Sequence, residues 1–341
     1  MLRRAAAPLP SPLPVSVVVP VHAGGDAFGR CLAHLCELRP PPLEIIVVED
    51  GEPWLGAYPA GVRVERLTGR RGPAAARNRG AALARGDILL FVDADVLVPP
   101  TAVAAVAETL ADERIDAVIG SYDRHPAAPG FVSQFKNLAH RFVHQQARED
   151  GATFWGACGA IRKSRFDALG GFDESFATPS IEDIELGMRL VRGGGLVRVR
   201  KDLEVTHLKR WTLAGLIRTD VLERAVPWSA LLLRERRIPD DLNVSRRARA
   251  AAALTALEAL ALAMAPFSPA ALWAAGAAAV TLLALDWRLW RYFAVERGWA
   301  FVPGAVAMQW LYYAYSGAAF GWVWLTGDWR HRRAARVQES A

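Results

Sequence analysis

The sequence predicts an α/β fold, a domain built on a mostly parallel sheet, followed by a helical tail directed at a membrane. Three observations predict it. Short, uninterrupted apolar runs at residues 15–20, 43–48 and 88–92 alternate with helical stretches. The last of these runs ends in Asp93-Ala94-Asp95, a pair of carboxylates one residue apart. Beyond Arg246 the composition turns to alanine, leucine and tryptophan, with arginine and no lysine.

Apolar runs of this length read as strands buried on both faces, the habit of parallel sheets. The first is ended by Pro20 and the second by Glu49-Asp50-Gly51. Between them residues 29–38 have helical spacing and stop at the proline cluster 40–42. A third short strand is expected near 62–65, an alanine-rich helix at 73–85, and then the strand 88–92. Alternating strand and helix implies right-handed crossovers, with ligands beyond the carboxyl ends of the strands, where Asp50, Asp93 and Asp95 stand. A helix at 101–110, a strand at 117–121 and an amphipathic helix at 131–146 follow. The last carries Phe131, Phe135, Leu138, Phe142 and Val143 on one face and is read as core packing. A strand at 154–162, a glycine loop at 170–174 and a helix at 181–192, closed by Gly193-Gly194-Gly195, complete the domain.

The tail holds three apolar segments, 248–264, 270–285 and 301–325, with Pro266 and Pro269 marking a tight turn between the first two. Tryptophan and arginine flank them as interfacial residues flank membrane spans. From Arg246 onward ten arginines stand against five acids, so this part carries +5 of the formal net charge of +6. That pattern points to an anionic membrane surface, and no nucleic-acid motif competes with it. Residues 212–247 combine apolar Leu213, Leu216, Ile217, Val221 and Leu222 with several arginines, a pattern for helices lying in the headgroup plane or covering the sheet. The expected organisation is a loose proline-rich lead at 1–14, a catalytic domain at 15–211, interfacial helices at 212–247, transmembrane helices at 248–328 and a basic tail at 329–341. Cys31, Cys36 and Cys158 lack metal spacing and are expected as small buried hydrophobes.

In a strand, residues i and i+2 share one side, so Asp93 and Asp95 are expected to serve a single polar site. Oxygen ligands of this kind suit Mg2+ or Mn2+, which complete their shells with water and substrate phosphate. In the order Val17–Val21, Glu49-Asp50-Gly51, Ala76-Arg77-Asn78-Arg79-Gly80, Asp93-Ala94-Asp95, Gly171-Phe172-Asp173-Glu174 and Glu182-Asp183-Ile184-Glu185-Leu186, the motifs resemble those of the family 2 glycosyltransferases. The resemblance covers about residues 13–211.

That resemblance implies a GT-A fold, a nucleotide-diphospho-sugar donor with UDP favoured, and single-displacement transfer with inversion. It implies donor contacts from Pro20, Asp50, Arg77 and Asp93, with Asp50 accepting from the base, and metal ligation by Asp95 with Asp93. Asp183 matches the family's general base, with Glu182 beside it. Glu185 is expected to pair with Arg189 one turn on, and Asn78 to brace a loop. Membrane-embedded members often carry Gln-x-x-Arg-Trp where this chain has His207-Leu208-Lys209-Arg210-Trp211. By that match Arg210 faces the diphosphate and Trp211 the acceptor, while His207 either ligates the metal or packs. His22-Ala23, where the family often has Tyr-Asn, leaves base choice open. The resulting expectation is an integral membrane enzyme, catalytic domain cytoplasmic, with a lipid-borne acceptor. Its rivals are a nucleotide-sugar-binding scaffold and a sugar-phosphate nucleotidyltransferase.

Overall fold

The computed structural model describes residues 13–235, 240 and 244–327. The lead at 1–12, Arg236, Arg237 and the basic tail from 328 on lie outside the described residues. The chain divides into two compact units, residues 1–127 with 148–209 and residues 128–147 with 210–341. The helix at 131–146, read within the catalytic segment, belongs to the second unit.

The first unit runs β1 (Leu13–Val21), α1 (Asp26–Cys36), β2 (Pro42–Asp50), β3 (Val62–Leu67), α2 (Pro73–Leu83), β4 (Ile88–Val92), β5 (Val96–Leu97), α3 (Ala102–Thr109) and β6 (Ala117–Tyr122). The chain then forms α4 (Phe131–Gln146) in the second unit and returns with β7 (Asp150–Gly151), β8 (Cys158–Arg162), α5 (Lys163–Ala168), α6 (Glu182–Arg192) and β9 (Val197–His207). The sheet order is β3-β2-β1-β4-β8-β6-β9-β5, with β7 on β9. β3, β2, β1 and β4 are parallel, and β6 is parallel to β9. β8 is antiparallel to both β4 and β6, and β5 and β7 are antiparallel to β9. The sheet is therefore mixed, not mostly parallel: the reversed β8 enters between β4 and β6, and no pattern within an apolar run reports its direction.

β1, β2 and β4 are buried along nearly their whole length, as uninterrupted Val, Ile and Leu runs demand. α2 lies close on them because Gly80 replaces a side chain where a Cβ would stand 2.3 Å from Val18. Beyond the short β5, β7 and α5, which were not expected, two longer elements differ from expectation. The strand at 154–162 begins only at Cys158, and β9 had not been foreseen, although its buried positions alternate with half-exposed ones in the period of two that marks a strand. Cys31 and Cys158 are buried, whereas Cys36 is exposed.

The second unit contains α4, α7 (Leu213–Arg218), a π-helical turn (Thr219–Ala225), α8 (Val226–Glu235), α9 (Arg246–Met264), α10 (Pro269–Leu285), α11 (Trp287–Arg297), a 3-10 turn (Trp299–Phe301) and α12 (Val302–Thr326). Phe135, Leu138 and Phe142 of α4 pack against Leu289, Trp290 and Phe293 of α11 and Ala305 of α12. Phe135, Leu138 and Phe142 are core, as the periodicity implied, whereas Phe131 is 39% exposed and Val143 half-buried, and the core partners are helices about 150 residues away. The segment 212–235 departs from a simple amphipathic helix. Leu216 is buried, Leu213 and Leu222 are exposed, and buried Asp220 in the π-helical turn binds Lys136 at 2.8 Å, Arg224 at 3.0 Å and Tyr315 at 2.7 Å. Among the described residues no single helix is long and apolar enough to cross a membrane, so the three expected spans are not found as single helices. α10 and α11 meet that test only together, bent by 61°.

Candidate active site

The site grows from the C-terminal ends of β2 and β4 and the N-terminal turn of α6. Asp50 closes β2, with its Oδ1 accepting from the Arg71 N–H at 2.5 Å and Oδ2 from the Gly72 N–H at 2.8 Å. Gly72 has φ of 92° and precedes Pro73, the first residue of α2. Asp50 thus fixes the entry into α2 through both oxygens, a larger structural part than the base contact expected of it. Glu49 beside it is fully buried and accepts from the Trp54 N–H at 2.7 Å, the Tyr58 hydroxyl at 2.8 Å and Arg66 Nε at 2.8 Å. Burial opposes its charge, but these donors outweigh it and hold Glu49 below the usual glutamate range. Trp54 lies edge-on to Phe28 and Tyr58 with centroids at 4.9 and 5.1 Å. Pro20 is half-buried in β1 opposite Val48, and His22 Nδ1 is 2.6 Å from the Asp50 carbonyl.

Arg77 sits on α2 and is only 4% exposed. Its Nη2 donates to Asp93 Oδ1 at 2.7 Å and its Nη1 to Glu182 Oε1 at 2.7 Å. The Phe172 ring lies 5.4 Å from its guanidinium carbon, and a Cβ on Gly156 would stand 3.0 Å from Nη2. Burial disfavours this cation, but Asp93, Glu182 and Asp183 together hold it more firmly protonated than a free arginine. With one N–H of each terminal nitrogen on a carboxylate, Arg77 ties Asp93 to Glu182.

Asp93 and Asp95 are not on a strand. They lie in a turn between β4 and β5, where the Val96 N–H donates to the Asp93 carbonyl at 3.1 Å. The turn separates their side chains: Asp93 goes to Arg77, and Asp95 Oδ2 lies 3.3 Å from His207 Nε2. Both carboxylates keep 34% of their side-chain surface exposed. The pairing of β5 with β9 sets Val96 opposite His207, and the Leu208 N–H donates to the Asp95 carbonyl at 2.8 Å. The His207 ring stacks on Tyr122 at 4.9 Å and 13°, and Trp155 meets Tyr122 edge-on at 4.9 Å. Burial raises the cost of charge on Asp95, yet the His207 hydrogen bond and charge outweigh it and hold the carboxyl below its usual range.

Among the described residues no three His, Cys, Asp or Glu side chains gather as a ready metal cage. Asp95 and His207, 3.3 Å apart, form a two-donor set that one cation with bonds of about 2.1 Å spans. Two protein ligands and open positions are what Mg2+ or Mn2+ require when water and a diphosphate supply the rest. The residues present therefore fit such an ion, with His207 as the second donor and Asp93 held aside by Arg77.

Glu182 and Asp183 open α6, and its N-terminus has no side-chain cap hydrogen bond. Glu182 Oε2 accepts from the Ser180 N–H at 3.0 Å while Oε1 holds Arg77. Asp183 Oδ2 accepts from the Gly156 N–H at 2.9 Å and Oδ1 from the Ile184 N–H at 2.7 Å. Burial first, then the neighbouring Glu182 charge, pushes the Asp183 carboxyl up to about 6. A carboxylate so tuned is suited to accept a proton near neutrality. Glu185 pairs with Arg189 at 2.7 Å as expected, and Arg189 also donates to the Leu169 and Gly171 carbonyls. Asn78 braces the same loop, donating to the Phe172 carbonyl at 2.9 Å and accepting from its N–H at 2.8 Å.

The first unit thus joins Asp93, Arg77, Glu182 and Asp183 in one network and Asp95 with His207 in a second. Arg210 and Trp211 belong to the second unit. There Arg210 is exposed, while buried Trp211 donates its N–H to Ser133 Oγ at 2.8 Å and lies 5.9 Å from the Arg224 guanidinium. Sequence reasoning missed Tyr122 and Gly156. Tyr122 carried one usable signal, an aromatic residue ending an apolar strand; the Gly156 N–H carried none, since any residue supplies one.

Residues 16–170 match the model described as "Glycosyl transferase family 2". The chain is 27% identical over 124 residues to Glycosyltransferase GlyG of Streptococcus pneumoniae, covering 34% of this chain and 41% of that protein. It is 28% identical over 218 residues to the pre-mycofactocin glycosyltransferase of Mycobacterium tuberculosis, covering 60% and 44%. The chain therefore spans less than half the length of these relatives. A mannosyltransferase from Pyrobaculum calidifontis, solved with GDP-Man and Mn2+, superposes with a TM-score of 0.53 at 19% identity, covering 92% of this chain and 89% of that one. Residues 16–170 are thus similar to the family 2 glycosyltransferases, which supports an enzyme, and they lie on a GT-A-like α/β fold with a mixed sheet.

Proposed function

We propose that the protein is an inverting, metal-dependent glycosyltransferase that moves a sugar from a nucleotide-diphospho-sugar to a lipid-borne hydroxyl at the cytoplasmic face of a membrane. The observation that carries the reading is Asp183, a carboxylate fixed by two backbone N–H groups with its proton affinity raised to about 6. Ionised above that pH, it takes the proton from the acceptor hydroxyl as the oxygen attacks the sugar. The Glu182–Arg77–Asp93 chain of ion pairs keeps Asp183 and the β4–β5 turn in register. Asp95 and His207 are the residues that would hold Mg2+ or Mn2+; when bound, the ion offsets charge on the departing diphosphate.

Asp50 is the base-reading candidate, and the Pyrobaculum mannosyltransferase was captured with GDP-Man, so UDP- and GDP-sugars both belong in the donor panel. The apolar, arginine-flanked helices of the second unit support the membrane location and the lipid acceptor. The test is release of nucleoside diphosphate from UDP- and GDP-sugars, with Mn2+, with Mg2+ and with chelator, by wild type and by Asp183→Asn. Metal-dependent release, lost in transfer but not in donor binding by Asp183→Asn, is expected. Release of pyrophosphate instead of a nucleoside diphosphate, or no turnover of any donor, overturns the reading.

A further inference from the structure

α9 and α10 form an antiparallel hairpin whose two ends differ in kind. The turn end is apolar and open to solvent: Leu260 is 60% exposed, Phe267 80% and Trp273 83%. Along α10, Leu272 and Val280 are 56% and 67% exposed, and the helix contains no charged residue. On α9 beyond Arg249 the one charge is Glu258, and that side chain is buried at 9% exposure rather than turned outward.

The opposite end is basic. Arg246 and Arg249 start α9, Arg288 and Arg291 follow the end of α10, and all four are exposed. A clamp holds this end together. Asp286, 2% exposed at the bend between α10 and α11, binds Arg247 at 2.8 Å and accepts from the Tyr313 hydroxyl of α12 at 2.9 Å. From there α11 leaves α10 at 61°, carrying Trp287, Arg288 and Arg291.

We propose that the α9–α10 hairpin is a monotopic anchor that dips into one leaflet of an anionic bilayer, with α11 lying along the surface. The limb of α9 beyond Arg249, residues 250–264, whose one ionisable side chain is the inward-turned Glu258, is 15 residues long, about 22 Å at 1.5 Å per residue. That falls short of the roughly 30 Å hydrocarbon core. The turn Ala265-Pro266-Phe267-Ser268 has no charge to sit in an opposite headgroup layer, so it stays in the hydrocarbon. The arginine collar sits where anionic headgroups lie, and the 61° bend at Asp286 turns the chain from the membrane normal into its plane. This deepens the proposed lipid-borne acceptor by naming the segment that meets the lipid.

Flotation of the full-length protein with vesicles of phosphatidylcholine, alone or mixed with phosphatidylglycerol, tests the anchor. Binding is expected, stronger with the anionic lipid. Phe267→Asp with Trp273→Asp is expected to cut it at least about tenfold, because each places a charge in hydrocarbon. Arg246→Gln with Arg288→Gln is expected to remove only the anionic preference. A fluorophore on Ser268→Cys, in a Cys36→Ser background, is expected to be quenched by acyl-chain spin labels and shielded from iodide on both sides of the vesicle. Iodide access from the lumen, absence of vesicle binding, or a soluble oligomer that Phe267→Asp dissociates overturns the proposal. Donor hydrolysis on the same samples separates failures: vesicle binding without turnover leaves the anchor standing, and turnover without binding leaves the enzyme standing.

Discussion

Arg77 and Asp93, sixteen residues apart, meet at 2.7 Å, and the other arm of the same guanidinium holds Glu182 at 2.7 Å. One buried cation thereby ties the turn after β4 to the first turn of α6. Arg77→Ala leaves Glu182, its side chain 5% exposed, without its counter-charge. Breaking a buried pair by removing one partner costs about 3–5 kcal/mol, and a loss of that size is expected in denaturant unfolding. Arg77→Lys is expected to recover only part of it, since a single ammonium does not reproduce a two-armed fork. Wild-type stability in Arg77→Ala is the result that refutes the strut.

Asp183 links stability and activity to pH with opposite signs. Its folded pKa of about 6 lies above the ordinary aspartate value of 3.8, so the fold favours the protonated form. That contribution is fully present below about 4 and is lost as pH rises through about 6. Under the proposed base role, transfer is expected to need the ionised form and to rise over the same window. Asp183→Asn is expected to flatten the stability profile between these pH values. Its transfer rate is expected to fall by about 10²–10⁴, the usual share of a general base. Unfolding curves and transfer rates across this range check both halves, and transfer retained in Asp183→Asn excludes the base role.

The contrast between these two residues shows what the sequence made legible. Interactions within one element or across a short loop were readable: Glu185 with Arg189 follows from helical spacing, and the apolar runs of β1, β2 and β4 follow from burial on both faces. Long-range partners were not. Nothing local says that Arg77 faces Glu182, 105 residues on, or that α4 packs on α11. The alternation of Asp93-Ala94-Asp95 fits a strand as well as a turn; only the Val96 to Asp93 backbone bond decides it. β9 was missed although Val197, Val199, Leu203 and Val205 lie buried on one side, because charged residues between them hide the alternation.

Asp95 and His207 define the metal test. Asp95→Asn keeps size and shape but removes the anionic ligand, so Mn2+ affinity measured by calorimetry is expected to fall about tenfold or more. With 34% of the Asp95 side chain in solvent, the fold is expected to stay intact. Tyr122→Ala, which removes the ring stacked on His207, is expected to weaken the same affinity less. Equal Mn2+ binding by wild type and Asp95→Asn removes Asp95 from the ligand set.

Gly187 decides whether α6 can deliver Asp183 at all. A Cβ at this position would stand 1.9 Å from the Phe154 backbone nitrogen and 2.4 Å from the Thr153 carbonyl carbon. Both are main-chain atoms of the segment that leads to Gly156, whose N–H holds Asp183 Oδ2 at 2.9 Å. The absent side chain therefore lets helix and segment touch, and that touch sets the carboxylate. Gly187→Ala adds one methyl where neither backbone yields without moving the other. Overpacking of this kind costs about 1–3 kcal/mol or more, so a lower unfolding midpoint is expected together with loss of transfer. Gly193→Ala, at the far end of the same helix, meets nothing closer than 3.4 Å and is expected to leave both nearly unchanged. Equal behaviour of the two variants sinks the claim that α6 is seated through Gly187.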